Sequence, residues 1–157
     1  MTVDPHQFRN TLAQFASGVT VVTVSHEGVR TGLTVSAFCS LSLQPPLVLI
    51  CIENSIRSHT VIDAAGHFAV NVLSEEQQEI SNRFASSAED KFSGLATREG
   101  TMGDPLIEGS LATIQCRIVD RYSGGDHTIF VGEVIESEIA EQQNPLLYFR
   151  GGYRSLG

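Results

Sequence analysis

The sequence predicts a mainly β protein with short helices, whose strands form a closed or nearly closed antiparallel barrel. Two observations predict it. About six short segments alternate apolar and polar residues or run as β-branched stretches, and Gly, Pro and Asn separate them. Strands this short need a partner sheet or barrel closure to cover their edges. A length of 157 residues suits one domain, so we expect residues 1–157 to fold as a single unit.

The first two elements are a helix and a β-hairpin. Asp4 and Pro5 predict a helix N-terminus, and the apolar spacing behind them predicts a short amphipathic helix that ends near Gly18. The β-branched segment 18–25 and the extended segment 29–38 are separated by a His-Glu-Gly turn, which predicts that they pair.

The middle of the chain combines two strands with two helices. The apolar run at 46–53 predicts a buried central strand, and the segment that follows predicts a short helix stopped by Gly66. A strand is expected at 67–73, and Ser74 is expected to be the N-cap of a second helix with acidic residues in its first turn. Residues 89–110, rich in Gly and polar residues, predict a functional or covering loop.

The last third of the chain predicts a second hairpin. Apolar residues alternate along 111–122, Ser-Gly-Gly-Asp-His makes a turn, and 128–139 continues in extended form. Gly132, inside the second of these strands, suggests a β-bulge.

Composition limits the functional classes. With 41% hydrophobic and 18% charged residues the chain is globular, and no apolar run reaches the roughly 18 residues of a membrane span. The N-terminus lacks a basic and apolar leader, so we expect a cytoplasmic protein with no membrane partner. A net charge of -8 argues against a nucleic-acid partner. Three widely spaced cysteines predict reduced, buried thiols and no metal site.

The segment 31–43 places small hydroxyl residues beside apolar ones where one strand gives way to the next. On the residues alone, these hydroxyls fit the solvent face of an edge strand. The pattern T-V-S-A-F-C-S-L-S-L-x-P-P-L-V-L nevertheless resembles the flavin-binding segment of the flavin reductase-like family, small NAD(P)H:flavin oxidoreductases with a split-barrel fold. The motifs FAVNVL, KF, GDHTIFVGEV and PLLYFRGGY follow in that family's order, so the resemblance covers nearly the whole chain.

This resemblance implies an FMN-binding split β-barrel with Greek-key-like topology. It also implies reduction of FMN or FAD by hydride transfer from NADH or NADPH, a homodimer, and a separate flavin-dependent monooxygenase that receives diffusing reduced flavin. No GxGxxG opens a strand–helix unit, so the nicotinamide cofactor is expected outside a Rossmann pocket. The alternatives are a non-catalytic flavin-binding protein and a pyridoxamine-phosphate-oxidase-like oxidase on the same barrel.

The family's motifs also imply which residues form the site. Those implied along the flavin ring and its ribityl chain are Thr34, Val35, Ser36, Ala37, Ser40 and Leu41. Those implied at the phosphate end are Ile52, Glu53, Asn54, Ser55, Arg57, Ser58 and His59, and the pair Lys91 and Phe92 is also implied to meet the flavin. The opposite wall is implied to comprise Tyr148, Phe149, Arg150, Gly151, Gly152 and Tyr153, and the docking face for the nicotinamide is implied to carry the catalytic candidate His127.

Several of these residues also have a simpler structural interpretation. Ser55 suits a helix N-cap, Arg57 and His59 suit a solvated helix face, and Lys91 suits a solvated loop. His127 follows Gly-Gly-Asp and suits a hairpin turn. Capping and phosphate binding use the same free N–H groups at a helix N-terminus, so these two roles of Ser55 are compatible.

Overall fold

The computed structural model describes residues 2–141 and 143–157. In these residues the chain forms twelve strands: β1 (Ser17–Gly18), β2 (Thr20–His26), β3 (Val29–Val35), β4 (Phe38–Ser42), β5 (Leu47–Glu53), β6 (His67–Val72), β7 (Thr97–Glu99), β8 (Pro105–Ile107), β9 (Ala112–Gly124), β10 (His127–Ile139), β11 (Leu147–Phe149) and β12 (Gly152–Arg154). The helices are α1 (Pro5–Leu12), α2 (Arg57–Ala65) and α3 (Gln78–Phe84), with a 3-10 turn at Glu75–Gln77.

Seven strands form one antiparallel sheet in the order β3-β2-β6-β9-β10-β5-β4. The two outer strands, β3 and β4, follow one another in the chain with only Ser36 and Ala37 between them. Three Cα steps of about 3.8 Å therefore separate the end of β3 from the start of β4. The sheet must curl until its two edges approach at this junction. The prediction of a mainly β, split-barrel fold with short helices is confirmed.

Two apolar clusters hold the fold together. The first fills the inside of the curled sheet and includes Val22, Phe68 and Phe130. The second lies on the other side of β2, where Val21 packs with Phe84 of α3 among other residues. Both faces of β2 are therefore covered, which explains its nearly continuous run of valine and threonine.

Most predicted elements are present. The β2–β3 hairpin turns at Glu27 and Gly28, both with positive φ, and α2 ends at Gly66 in the left-handed conformation. The β9–β10 hairpin has a register shift between Val131 and Gly132, which confirms the bulge. None of the helices in residues 2–141 and 143–157 has the length and hydrophobicity that crossing a membrane would need.

The first helix is shorter than predicted. It begins at Pro5, and the Asp4 carboxylate accepts the N–H of Gln7 at 3.4 Å, as expected of an N-cap. It ends at Leu12, although the apolar spacing continues. The Ala13 carbonyl, which a longer helix would bond internally, accepts the Arg150 N–H at 3.0 Å instead.

Three further expectations are corrected. The segment 89–110 is more than a loop, since β7 and β8 pair within it. The strand predicted at 46–53 is β5, which lies one strand from the sheet edge and is buried on alternate residues only. Of the cysteines, Cys116 is buried, whereas Cys51 is half-buried and Cys39 is exposed, because β4 is an edge strand.

Candidate functional site

A cavity of about 600 Å³ runs along the outer strand β3. The first turn of α2 forms one wall, and the end of α3 with the segment that follows it forms the other. Five residues that the sequence predicted for a flavin site line this cavity: Thr34, Arg57, Ser58, Lys91 and Phe92. Arg30, Thr31, Phe84 and the 85–89 segment also line it, and none of these was predicted.

The first turn of α2 bridges the two sides of the curled sheet. The Ser58 hydroxyl lies 2.8 Å from the Thr31 hydroxyl on β3. The neighbouring His59 Nε2 lies 2.8 Å from the hydroxyl of Thr128 on β10. Thr128 in turn donates to Asn54 Oδ1 at 2.7 Å. Two predicted residues, Asn54 just after β5 and His59 of α2, are thus linked through Thr128.

Ser55 does not have the capping role considered for it. The residue at the N-cap position of α2 is Ile56, and within the described chain no side chain caps this helix. Ser55 is exposed and precedes the helix by two residues. Ser55 therefore lies just before the N-terminus of α2, where the positive end of the helix dipole favours negative charge.

Lys91 and Phe92 are held by α3 and β3. Lys91 Nζ donates to the carbonyl oxygens of Gly32 and Phe84, at 3.2 Å in each case. Burial lowers the pKa of the Lys91 ammonium group. Phe92 packs edge-on against Phe84 with 5.1 Å between ring centroids, and the Arg30 guanidinium carbon lies 4.8 Å from the Phe92 centroid. These two bonds exclude the simpler alternative for Lys91, a freely solvated loop lysine.

A second cleft of about 560 Å³ lies beside α1 and the C-terminal hairpin. Four predicted residues line it: Ser36, Tyr148, Arg150 and Gly151. Arg150 has a positive φ of 51°, and its N–H donates to the Ala13 carbonyl at 3.0 Å. Its Nε donates to Gln14 Oε1 at 2.9 Å. These bonds hold the C-terminal hairpin against the end of α1.

His127 is the first residue of β10 and pairs with Glu53 of β5. Its Nδ1 lies 2.6 Å from Asp126 Oδ1, and this hydrogen bond with His127 lowers the pKa of the exposed Asp126 carboxyl. The Asp126 carbonyl accepts the N–H of Asn54 at 2.9 Å. The turn therefore presents an imidazole whose Nδ1 is occupied, next to predicted residues at the end of β5.

The remaining predicted residues lie outside the two cavities. Val35 and Ile52 are core residues that can offer a ligand only their backbone. Ser40 and Leu41 are exposed on β4, and Ala37 is exposed at the junction, where its carbonyl accepts the Cys51 N–H at 3.1 Å. Phe149 lies under Arg150, with 4.8 Å between the guanidinium carbon and the ring centroid.

Gly152 and Tyr153 belong to β12, and the Tyr153 phenol reaches α3, where it bonds to Ser81 and Asn82. Ser81 and Arg30 were not predicted from the sequence as site residues. The alternation of Arg30, Gly32 and Thr34 on one face of β3 was the available signal for Arg30.

The lining of the first cavity fits a flavin nucleotide. Arg30, Arg57 and Lys91 supply cations for phosphate, hydroxyl groups suit a ribityl chain, and Leu33, Phe84 and Phe92 supply apolar surface. The second cleft combines Tyr148 with Arg150, a pair that suits an aromatic ring with an attached phosphate. Thr34 lines the first cavity and Ser36, two residues further along the chain, lines the second cleft, so both reach the β3–β4 junction.

Comparison with known proteins gives matches along almost the whole chain. A family model described as a flavin reductase like domain matches residues 12–157. The reductase subunit HsaB of a flavin-dependent monooxygenase from Mycobacterium tuberculosis is 45% identical over 156 residues, covering 98% of this chain and 83% of that protein. The reductase component of a 4-nitrophenol 4-monooxygenase/4-nitrocatechol 2-monooxygenase from Rhodococcus opacus is 44% identical over 151 residues, covering 96% of this chain and 80% of that protein.

A solved structure is also closely similar. The Streptomyces globisporus NADH:FAD oxidoreductase SgcE6, in complex with NAD and FAD fragments, superimposes with a TM-score of 0.94 at 38% sequence identity. The match covers 100% of this chain and 97% of that one.

Proposed function

This chain belongs to the flavin reductase-like domain family, and on that premise we propose that it reduces FMN or FAD with NADH or NADPH and supplies reduced flavin to a separate monooxygenase. The observation that carries the proposal is the first cavity, which brings together five residues that the family's motifs imply for a flavin site. Two relatives are named as reductase components of monooxygenases, and SgcE6 is named as an NADH:FAD oxidoreductase. These names support a nicotinamide as the electron donor.

A bound flavin would supply the redox chemistry, because it accepts a hydride from a nicotinamide stacked on its ring. The task of the protein is to bind and align the two rings. The Thr34 hydroxyl donates its hydrogen to the Ser81 carbonyl at 2.6 Å, so it faces a ligand as an acceptor. Arg57 and Lys91 would hold phosphate, and His127, whose Nδ1 is occupied by Asp126, would present Nε2 to the nicotinamide.

The chain is proposed to act as a homodimer with the flavin site near the subunit contact. On the outer face of the sheet, Tyr122, Ile129 and Cys51 lie in one row across β9, β10 and β5, and all three carry exposed or half-buried apolar surface. His127 and Glu53 occupy the adjacent outward-facing row. A second copy covering this apolar face would therefore approach the nicotinamide side of the site.

The direct test of the function is a steady-state assay. Purified protein is mixed with FMN or FAD and with NADH or NADPH, and the loss of reduced-nicotinamide absorbance is followed for all four combinations. We expect oxidation well above the uncatalysed rate in at least one. Flavin binding without nicotinamide oxidation in any of them would replace the proposal with a non-catalytic flavin-binding protein.

A further inference from the structure

Thr128, the second residue of β10, has a hydroxyl group that two neighbouring side chains share. It donates its single hydrogen to Asn54 Oδ1 at 2.7 Å. His59 Nε2, in the first turn of α2, lies 2.8 Å from the same hydroxyl oxygen. Because a hydroxyl has only one hydrogen, the Thr128 oxygen accepts from His59, and the neutral His59 ring therefore carries its hydrogen on Nε2. The bond from Thr128 to Asn54 thus determines the tautomer of His59.

The ring of His59 is also held by packing. Its centroid lies 5.2 Å from that of Phe130, a core residue that is 0% exposed, and the two ring planes are tilted by 56°. The ring therefore has a fixed apolar contact on one side and a directional hydrogen bond at Nε2. A rotation of the ring would lose that hydrogen bond.

The first turn of α2 depends on anchors of this kind. Its N-cap residue is Ile56, and among the residues that the structure describes no side chain caps the helix. Ser58 bonds to Thr31 of the outer strand β3 at 2.8 Å, whereas His59 bonds to Thr128 of β10. The turn, which also lines the first cavity, is therefore fixed from two sides of the curled sheet.

The same hydroxyl group is linked to the turn that carries His127. Asn54, which accepts from Thr128, donates its main-chain N–H to the Asp126 carbonyl at 2.9 Å. The Asp126 side chain in turn lies 2.6 Å from His127 Nδ1. A continuous series of bonded residues therefore runs from His59 to His127, and Thr128 lies between its two halves.

We propose that Thr128 is a positioning residue that aligns the first turn of α2 with the turn carrying His127. The inference rests on the proposed function, in which α2 borders the flavin and His127 borders the nicotinamide. Thr128 acts through His59 on the flavin side and through Asn54 on the nicotinamide side. Loss of its hydroxyl group therefore weakens the binding of both ligands.

The kinetic test compares three variants with the wild type. Thr128→Val removes the hydroxyl, Thr128→Ser keeps it, and the control Thr60→Val changes an exposed threonine of α2 next to His59. Equilibrium dialysis gives the dissociation constants of FMN and FAD, and steady-state assays give the Michaelis constants of NADH and NADPH. We expect the flavin and nicotinamide constants to rise about fivefold in Thr128→Val and to stay within about twofold of the wild type in the other two.

A spectroscopic test examines the tautomer directly. The ¹⁵N chemical shifts of the His59 ring distinguish an imidazole protonated on Nε2 from one protonated on Nδ1. We expect the Nε2–H form in the wild type and in Thr128→Ser, and a mixture of both forms in Thr128→Val. A wild type protonated on Nδ1, or a Thr128→Val variant that keeps the wild-type tautomer, would overturn the proposal.

The remaining outcomes separate this inference from the proposed function. Unchanged constants in Thr128→Val, a rise for only one of the two ligands, or equal rises in Thr128→Val and Thr128→Ser overturn the positioning role. A wild type that binds flavin but oxidises no nicotinamide overturns the proposed function, and the His59 tautomer with the flavin constants then decides the role of Thr128.

Thermal denaturation checks the fold of Thr128→Val. If its midpoint falls, Asn54→Ala is measured instead, because it frees the Thr128 hydrogen to bond to His59. The preference of His59 for the Nε2–H form must then be lost, and its persistence would overturn the proposal.

Discussion

The hydroxyl of Ser81 lies 2.7 Å from the phenolic oxygen of Tyr153, and the Ser81 carbonyl accepts the hydroxyl hydrogen of Thr34 at 2.6 Å. Tyr153 donates its own hydrogen to Asn82 Oδ1 at 2.8 Å, so Ser81 is the donor in its bond to Tyr153. One fully buried residue of α3 therefore connects β3, which borders the first cavity, to the C-terminal hairpin beside the second cleft.

This arrangement predicts that Tyr153→Phe destabilises the protein more than Ser81→Ala. Removing the phenol leaves the buried Ser81 hydroxyl without its acceptor, at a cost of about 1–3 kcal/mol, whereas Ser81→Ala leaves Tyr153 its bond to Asn82 and costs about 1 kcal/mol. Urea denaturation of both variants measures the difference. Equal losses would show that the Ser81 hydroxyl rotates to a carbonyl of its own helix.

His127→Ala should raise the Michaelis constant for the nicotinamide, or lower turnover, and leave flavin affinity nearly unchanged. The reason is its position at the start of β10, outside the cavity that Thr34 and Lys91 line. Steady-state kinetics and flavin dialysis on the same preparation separate the two effects. A parallel loss of flavin affinity would instead assign His127 a structural role in the turn.

Much of the fold was predictable because local chemistry determines it. The β2–β3 turn has positive φ at Glu27 and Gly28, and the bulge occurs at Gly132, where a Cβ would lie 2.7 Å from the Cys116 Cβ. The end of α1 was not predictable, because the Ala13 carbonyl accepts the N–H of Arg150, which lies at the far end of the chain. Long-range pairing overrides helical spacing there.

The site residues that belong to the family's motifs were predictable from the sequence, whereas the residues that reach the site only through tertiary packing were not. The family resemblance implied Thr34, Arg57 and Lys91, and the structure places all three along one cavity. Arg30 and Ser81 carry no motif, and their contacts depend on how α3 packs against β3. Alternation along β3 indicates that Arg30 shares a face with Gly32 and Thr34. A single sequence nevertheless does not show that α3 packs on that face, where Phe84 lies against Gly32.

Replacing Asp104 should change how stability depends on pH. Asp104 is 1% exposed, accepts the Ser25 N–H at 2.8 Å and lies 2.7 Å from His67 Nδ1. Burial raises the pKa of this carboxyl above its ordinary value of 3.8, although the bonds from Ser25 and His67 lower it. As pH falls, the folded state therefore takes up this proton before the unfolded state does.

The protonated Asp104 carboxyl stabilises the folded state at low pH. This stabilisation is lost as pH rises from about 3.8 through the raised pKa of Asp104. Asp104→Asn cannot ionise, so the unfolding free energy of the wild type minus that of the variant should decrease across this window. Urea denaturation at a series of pH values measures it. A difference that increases with pH would mean that the pairing with His67 outweighs burial.

The proposed dimer should weaken when its apolar face becomes charged. Tyr122 is 54% exposed and lies beside Ile129 in the outward-facing row, so Tyr122→Asp should raise the dimer dissociation constant at least about tenfold. Ile139→Asp is the matched control, since Ile139 is 87% exposed at the opposite end of the same hairpin. Sedimentation equilibrium at micromolar protein gives both constants. A monomeric wild type would rule out the dimer.

Transfer of reduced flavin should not require contact with the monooxygenase. Reduced flavin can diffuse, and the chain has a net charge of -8, so its overall field does not steer an acidic partner toward it. We expect hydroxylation to continue when the reductase and a candidate oxygenase are separated, under low oxygen, by a membrane that passes flavin and retains protein. The matched control is the same mixture without the membrane. Complete loss of hydroxylation across the membrane, while nicotinamide oxidation continues at its usual rate, would show that the two proteins must touch.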